Sequence, residues 1–283
     1  MIPSAFDYVR ASSIDDAIRL LGEHGEDAKI LAGGMSLIPM MKLRFASPAT
    51  LIDIRKIPSL AGITVRGDRV TIGALTNHAA VAASADLRKA APVLWDAANV
   101  LGDPQVRNLG TIGGSLSHAD PAADYPAAML ALDAEFTVMG PQGERKIGAA
   151  EWFTGMFETA LAEREILTSV SFAAAPASAY VKFHHPASHY AVVGAAAVLT
   201  LDAGKIAAAR IGLTGLYETA FRATAVEHAL IGVSPSDEAA LEAATAGAAG
   251  EGEARSDTFA SATYRTAMAA VFAARAITRA ATR

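Results

Sequence analysis

Gly102-Asp103-Pro104-Gln105-Val106-Arg107-Asn108-Leu109-Gly110-Thr111-Ile112-Gly113-Gly114-Ser115-Leu116-Ser117-His118-Ala119-Asp120-Pro121-Ala122-Ala123-Asp124-Tyr125-Pro126 gathers glycines, small hydroxyls and acids into one segment between helical stretches. Glycine lets a backbone take positive φ and approach a ligand closely, so Gly110, Gly113 and Gly114 with Thr111 and Ser115 are expected to turn several N–H groups toward one anion. That suits a phosphate. Asp124 cannot favour a phosphate but can accept hydrogen bonds from sugar hydroxyls, so an amide cradle followed by an acid points to nucleotide recognition.

Upstream, Ala32-Gly33-Gly34-Met35-Ser36 follows the apolar run Lys29-Ile30-Leu31. A strand running into paired glycines and a hydroxyl is a second place for amides to meet a phosphate. Together the two turns can grip one pyrophosphate. There is no G-x-x-x-x-G-K-[ST], and no G-x-G-x-x-G opening a helix, so P-loop and Rossmann readings lack their fingerprints.

The chain has 283 residues and a formal charge of −5, enough for more than one core and poorly suited to general nucleic-acid binding. It contains no cysteine, which excludes disulfides, thiolate catalysis, cysteinyl flavin and cysteine-ligated iron–sulfur clusters within it. The most apolar run, Ala191 to Leu201, falls short of the about twenty residues of a membrane-spanning helix. The start, Met1-Ile2-Pro3-Ser4-Ala5-Phe6-Asp7, lacks a basic and an apolar leader region, so a cytoplasmic protein without a transmembrane segment is expected.

Ser13 with Asp16 predicts a helix start; Ile14, Ala17, Ile18 and Leu21 share one face, and Gly22 and Gly25 are expected to end it. Lys29 to Ala32 and Thr50 to Ile54 read as buried strands. Ile63–Arg66 and Arg69–Ile72 alternate around Gly67-Asp68, and Phe136–Val138 and Arg145–Ile147 flank Gly140–Gly143, two hairpin signatures. Helices are expected near Thr76–Ala83 and Pro92–Leu101 and from Pro126. After the strand at Glu165–Phe172, the small residues Ala173–Ser178 mark a boundary. Beyond it Tyr180–His184, Tyr190–Leu201 and Ile206–Leu213 predict an antiparallel sheet of three strands, followed by helices over Thr219–Leu230, Asp237–Ala248 and Ala262–Thr282. The expected organisation is α+β: a unit over 1–55, a second over 56–175, and a sheet-and-helix domain over 176–283.

Ala32 to Ser36 followed by Leu37-Ile38-Pro39-Met40-Met41-Lys42, with Asn108 to Gly114 and Ala119 to Asp124, resembles the FAD-binding medium subunit of molybdenum hydroxylases, a group that includes aerobic carbon monoxide dehydrogenase and the flavin domain of xanthine dehydrogenase. The resemblance spans essentially the whole chain. It implies a vanillyl-alcohol oxidase (PCMH) type FAD-binding fold in two α/β subdomains plus a C-terminal antiparallel sheet with helices. It also implies an electron-transfer subunit in a heterotrimer, often doubled. A large molybdenum cofactor subunit oxidises substrate, a small subunit with [2Fe–2S] clusters passes electrons to FAD, and an external acceptor receives them. A self-contained flavoprotein oxidoreductase and a cofactor-free structural adaptor remain the alternatives.

By the same resemblance FAD is contacted by Ala32, Gly33, Gly34, Met35, Ser36, Thr111, Ile112, Gly113, Gly114 and Ser115, with Asp124 at the ribose, Asp120 as support, the backbone of Leu167 facing the flavin ring, and Lys182 beside the flavin. Read from the residues alone, Lys182 is a solvated strand lysine and Leu167 a core residue. Tyr190 is either a sheet-edge aromatic or a lid stacked on the isoalloxazine. His118, Asp120 and Asp124 could be imagined as metal ligands, but with no second cluster at ligand spacing they read as a loop histidine beside hydrogen-bonding acids. His184-His185 reads as a surface feature. Met35 stands where carbon monoxide dehydrogenase medium subunits often carry histidine. It therefore weakens carbon monoxide as the substrate and argues for noncovalent FAD.

Overall fold

The computed structural model describes residues 2–283. Three sheets carry the architecture. The first is parallel, with Thr50–Asp53 between Asp7–Arg10 and Ala28–Leu31. Its strand Asp7–Arg10 carries no apolar run and gave no sequence signal. The helix Ile14–His24 crosses between strands; the Ser13 hydroxyl accepts from Asp16 N at 3.1 Å, and Gly25 at φ 62° ends it. Gly22 does not end this helix. It lies inside it, where an added Cβ would meet the Arg164 guanidinium at 2.7 Å.

The second sheet is antiparallel, in the order Ile63–Arg66, Arg69–Gly73, Ile166–Ala173, Glu135–Gly140, Gly143–Gly148. Both predicted hairpins are present, and the strand from late in the chain inserts between them. Helices cover one face of it, where Phe136 stacks on Trp152 at 4.4 Å between ring centres and the Trp152 indole donates to Leu116 O at 3.0 Å.

The third sheet has four strands rather than the expected three: Ser178–His184, Ala191–Asp202, Lys205–Thr214 and Phe221–Arg222. The fourth is two residues long, too short to leave an alternation, and it shortens the predicted helix to Thr224–Ala229. The last helix, Ala262–Ala281, packs its alanine-rich face on Ser178–His184 and Ala191–Asp202.

The helix Asp124–Leu132 sits between units and buries all of its residues. Such burial leaves no amphipathic stripe, so periodicity could not have bounded it. It presses onto the third sheet at Gly212, where an added Cβ would overlap the Ala127 carbonyl oxygen and lie 2.9 Å from its carbon.

The largest difference from expectation lies in the central stretch. It folds as two short helices, Pro104–Leu109 and Ile112–His118, rather than as a loop. Asp103 accepts from Val106 N at 2.8 Å with Pro104 at the first helical position, and Thr111 accepts from Gly114 N at 3.1 Å. These are ordinary helix starts. Gly113 and Gly114 obscure the second, because glycine lowers helix propensity by about 1 kcal/mol.

Candidate nucleotide site

The glycine turns meet. A Cβ on Gly33 would overlap the Leu109 carbonyl oxygen and lie 2.7 Å from Gly110 Cα, and one on Gly114 would lie 3.8 Å from the Ala32 side chain. Only glycine at 33 permits this approach of one backbone to another. His78 braces the second turn from behind. Its N–H donates to Gly110 O at 3.0 Å, and its ring would be 2.7 Å from a Cβ on Gly110. The ring also pairs with the Tyr125 hydroxyl at 3.1 Å, and burial holds its pKa down to about 4, so it stays neutral.

The turns contribute differently from expectation. In the second, the amides are spent on the fold: Ile112 N donates to Thr76 O at 3.0 Å, Gly113 N to Ala74 O at 2.8 Å, and Ser115 N to Thr111 O at 3.0 Å. Gly113 is a packing glycine, since its Cβ would lie 2.5 Å from the Ala74 side chain. What this turn can present is the Thr111 amide, which finds no acceptor among the described residues, and the hydroxyl groups of Thr111 and Ser115. In the first turn, by contrast, the amides of Gly33, Gly34, Met35 and Ser36 find no acceptor among the described residues. A set of unspent backbone donors packed against a turn that carries two hydroxyls fits a pyrophosphate.

Asp124 opens its helix as a buried carboxylate. Tyr180 donates its hydroxyl to Oδ1 at 2.6 Å, and Lys182 Nζ donates to Oδ2 at 2.9 Å. The Lys182 side chain is 2% exposed, so it is not the solvated lysine that its strand position predicts. Burial pushes the Asp124 carboxyl above its usual range, while the Lys182 ammonium and the Tyr180 hydroxyl pull it back. Tyr180 lies two residues from Lys182 on the same strand face, so both side chains reach Asp124. Its hydroxyl occupies the space above Gly194, where a Cβ would overlap it. Neither Tyr180 nor Gly194 was singled out from sequence.

Lys182 Nζ also donates to His189 O at 2.8 Å and so ties down the turn that ends in Tyr190. In that turn His185 Nδ1 accepts from Ala187 N and Ser188 N, both at 3.2 Å, a structural use of a histidine expected merely at the surface. Tyr190 precedes its strand and is 44% exposed; burial of the ring, then Asp120 and Asp124, push its phenol up to about 12. It borders a cleft of about 970 Å³ shared with Asp120, Phe157, Tyr217 and Arg255. Asp120 supports the segment, accepting from Ala122 N at 2.8 Å. Leu167 is buried in the core, and a bulge at Thr168 interrupts the ladder beside its backbone.

No helix among the described residues is long and apolar enough to cross a membrane. Residues 4–174 match the model of the FAD binding domain in molybdopterin dehydrogenase, and residues 178–280 that of the CO dehydrogenase flavoprotein C-terminal domain. The carbon monoxide dehydrogenase medium chain of Afipia carboxidovorans is 41% identical over 99% of this chain and 98% of its own. The 6-hydroxypseudooxynicotine dehydrogenase complex subunit alpha of Paenarthrobacter nicotinovorans is 43% identical over 82% of this chain and 79% of its own. Among solved structures, a carbon monoxide dehydrogenase from Hydrogenophaga pseudoflava superposes with a TM-score of 0.94 at 42% identity, covering 99% of this chain and 98% of that one.

Proposed function

This chain belongs to the family of FAD-binding medium chains of molybdopterin dehydrogenases, and from that premise we propose that it carries electrons from a partner's [2Fe–2S] clusters, through noncovalently held FAD, to an external acceptor. The observation that carries the reading is the contact of Gly33 with Leu109 and Gly110, which brings the turn of four unspent amides against the turn that carries Thr111 and Ser115. When bound, FAD supplies one- and two-electron redox chemistry.

In this proposal the chain's residues bind and orient. The amides of Gly33 to Ser36, with Ala32 at the entrance, hold the pyrophosphate with Thr111 and Ser115; Ile112, Gly113 and Gly114 keep the second turn close enough to do so. Asp124 accepts from ribose or ribityl hydroxyls while remaining paired to Lys182, whose buried charge lies near the ring end. The backbone of Leu167 at its bulge and the ring of Tyr190 flank the ring system. Substrate chemistry and the molybdenum cofactor lie in a large partner subunit, and the iron–sulfur clusters in a small one. The absence of cysteine fits that division.

The test is Ser115→Ala in the complex purified with its partners. A hydrogen bond to a charged phosphate contributes about 1.5–3 kcal/mol, so FAD dissociation constants are expected to rise at least about tenfold with unchanged thermal unfolding. FAD released by acid and measured by fluorescence reports occupancy. Undiminished affinity removes Ser115 from the site. A wild-type complex with full partner content and no flavin refutes the whole reading.

A further inference from the structure

Asp96 has no part in the site above, yet it is a buried carboxylate with four donors. It sits on the helix Pro92–Asn99, its side chain 2% exposed. Arg279 donates to Oδ1 at 2.7 Å, Arg283 donates to both oxygens at 2.8 and 3.0 Å, and the backbone amide of Tyr180 donates to Oδ2 at 3.1 Å. The arginines come from the last helix and the residue run just after it. The amide comes from the strand Ser178–His184, which also carries Lys182.

Tyr180 is thus held at both ends: Asp96 accepts from its N–H and Asp124 accepts from its hydroxyl. A backbone amide fixed on a carboxylate sets the height of the strand along its neighbour, and side chains two apart on one face move together. Asp124 accepts from two side chains of this one strand, and both must arrive at the correct height. Neighbouring bonds reinforce the same position. Ser178 Oγ accepts from Val93 N at 3.2 Å and donates to Ala175 O at 2.6 Å, and Arg283 donates to Ser178 O at 2.9 Å.

We infer that Asp96 is a positioning residue for the Asp124–Lys182 pair, acting through the Tyr180 amide, while Arg279 and Arg283 serve to hold the Asp96 side chain in place. Its importance to cofactor binding rests on the function proposed above; its effect on Lys182 does not.

The experiment is lysine footprinting of the purified complex with an amine-reactive label, read by mass spectrometry. In Asp96→Ala, labelling of Lys182 is expected to rise at least about tenfold by the two-state relation between opening and exposure, while exposed Lys29 and Lys146 label as in the wild type. In Arg279→Ala, where Arg283 and the Tyr180 amide still face Asp96, Lys182 stays protected. Asp96→Glu, which keeps the charge, restores part of the protection. If Lys182 stays protected in a folded Asp96→Ala complex, the proposal is overturned. Equal release in Arg279→Ala overturns it too, because Asp96 would then act by clamping the last helix. Lys182 released with FAD content unchanged leaves the positioning role standing and counts against the proposed flavin site.

Discussion

Replacing Lys182 with methionine keeps the apolar stem and removes the charge that faces Asp124. Breaking a buried pair by deleting one partner costs about 3–5 kcal/mol, because the remaining charge stays in a poor solvent. Asp124 can escape by taking a proton. Held neutral at pH 7 against its ordinary value of 3.8, it costs about 4.4 kcal/mol, at 1.36 kcal/mol per unit. At pH 5 the same escape costs only about 1.6 kcal/mol. The sign follows from linkage: a carboxyl whose folded pKa lies above the unfolded one gives stability that is complete below about 3.9 and lost as pH rises toward the folded value. Urea unfolding of Lys182→Met should therefore show a loss smaller by up to about 2.7 kcal/mol at pH 5 than at pH 7. The wild type slopes the same way less steeply, since Lys182 draws the Asp124 pKa back down. Adding Asp124→Asn to Lys182→Met removes the stranded charge and should recover most of the loss at pH 7. An equal loss at both pH values, or no recovery in the double variant, would show that the pair is not the buried ionic contact described here.

Two glycine substitutions separate packing from binding. Gly113→Val forces a branched side chain into Ala74 and should lower unfolding stability by about 3 kcal/mol or more, with flavin lost as a consequence; a variant as stable as wild type but lacking FAD would instead place Gly113 against the ligand. Gly194→Ala puts a methyl group where the Tyr180 hydroxyl sits and should cost about 1–3 kcal/mol, less in a Tyr180→Phe background. Thermal unfolding of the four-member cycle measures the coupling, and strict additivity would sink the assignment.

Much of the fold was legible because its signals are local. The Gly67-Asp68 turn between alternating strands, the Ser13 cap and the long apolar strand from Ala191 each follow from short-range chemistry. The strand Asp7–Arg10 was not legible, because its pairing with Thr50–Asp53 is a decision of the distant chain. The helix Asp124–Leu132 was misplaced by two residues because burial on every side erases periodicity, and Pro126 offered a more conspicuous but later starting point. At the site, Lys182 was placed in the right strand, but its burial depends on a carboxylate 58 positions away. Tyr180 shares its face and chemistry and was missed for want of any reason, in sequence alone, to link that strand to Asp124.

The two glycine turns divide labour in a way that explains why both carry glycine while differing in their hydrogen bonds. A turn whose amides are mostly satisfied has a fixed shape before any ligand arrives, and the second turn, with every amide from Ile112 to Ser115 bonded, is of this kind, braced by Ala74, Thr76 and His78. A turn with unspent amides makes little folding energy from them and gains when an anion accepts them. The first turn is of this kind, and Gly33 brings it against the fixed one. Binding of a phosphate should accordingly order Gly33 to Ser36 more than Ile112 to Ser115. Amide hydrogen exchange on the complex with and without FAD would register that asymmetry, with protection gained chiefly in the first turn. Equal gains in both would mean that the second turn's internal bonds open to admit the ligand, contrary to a preformed wall.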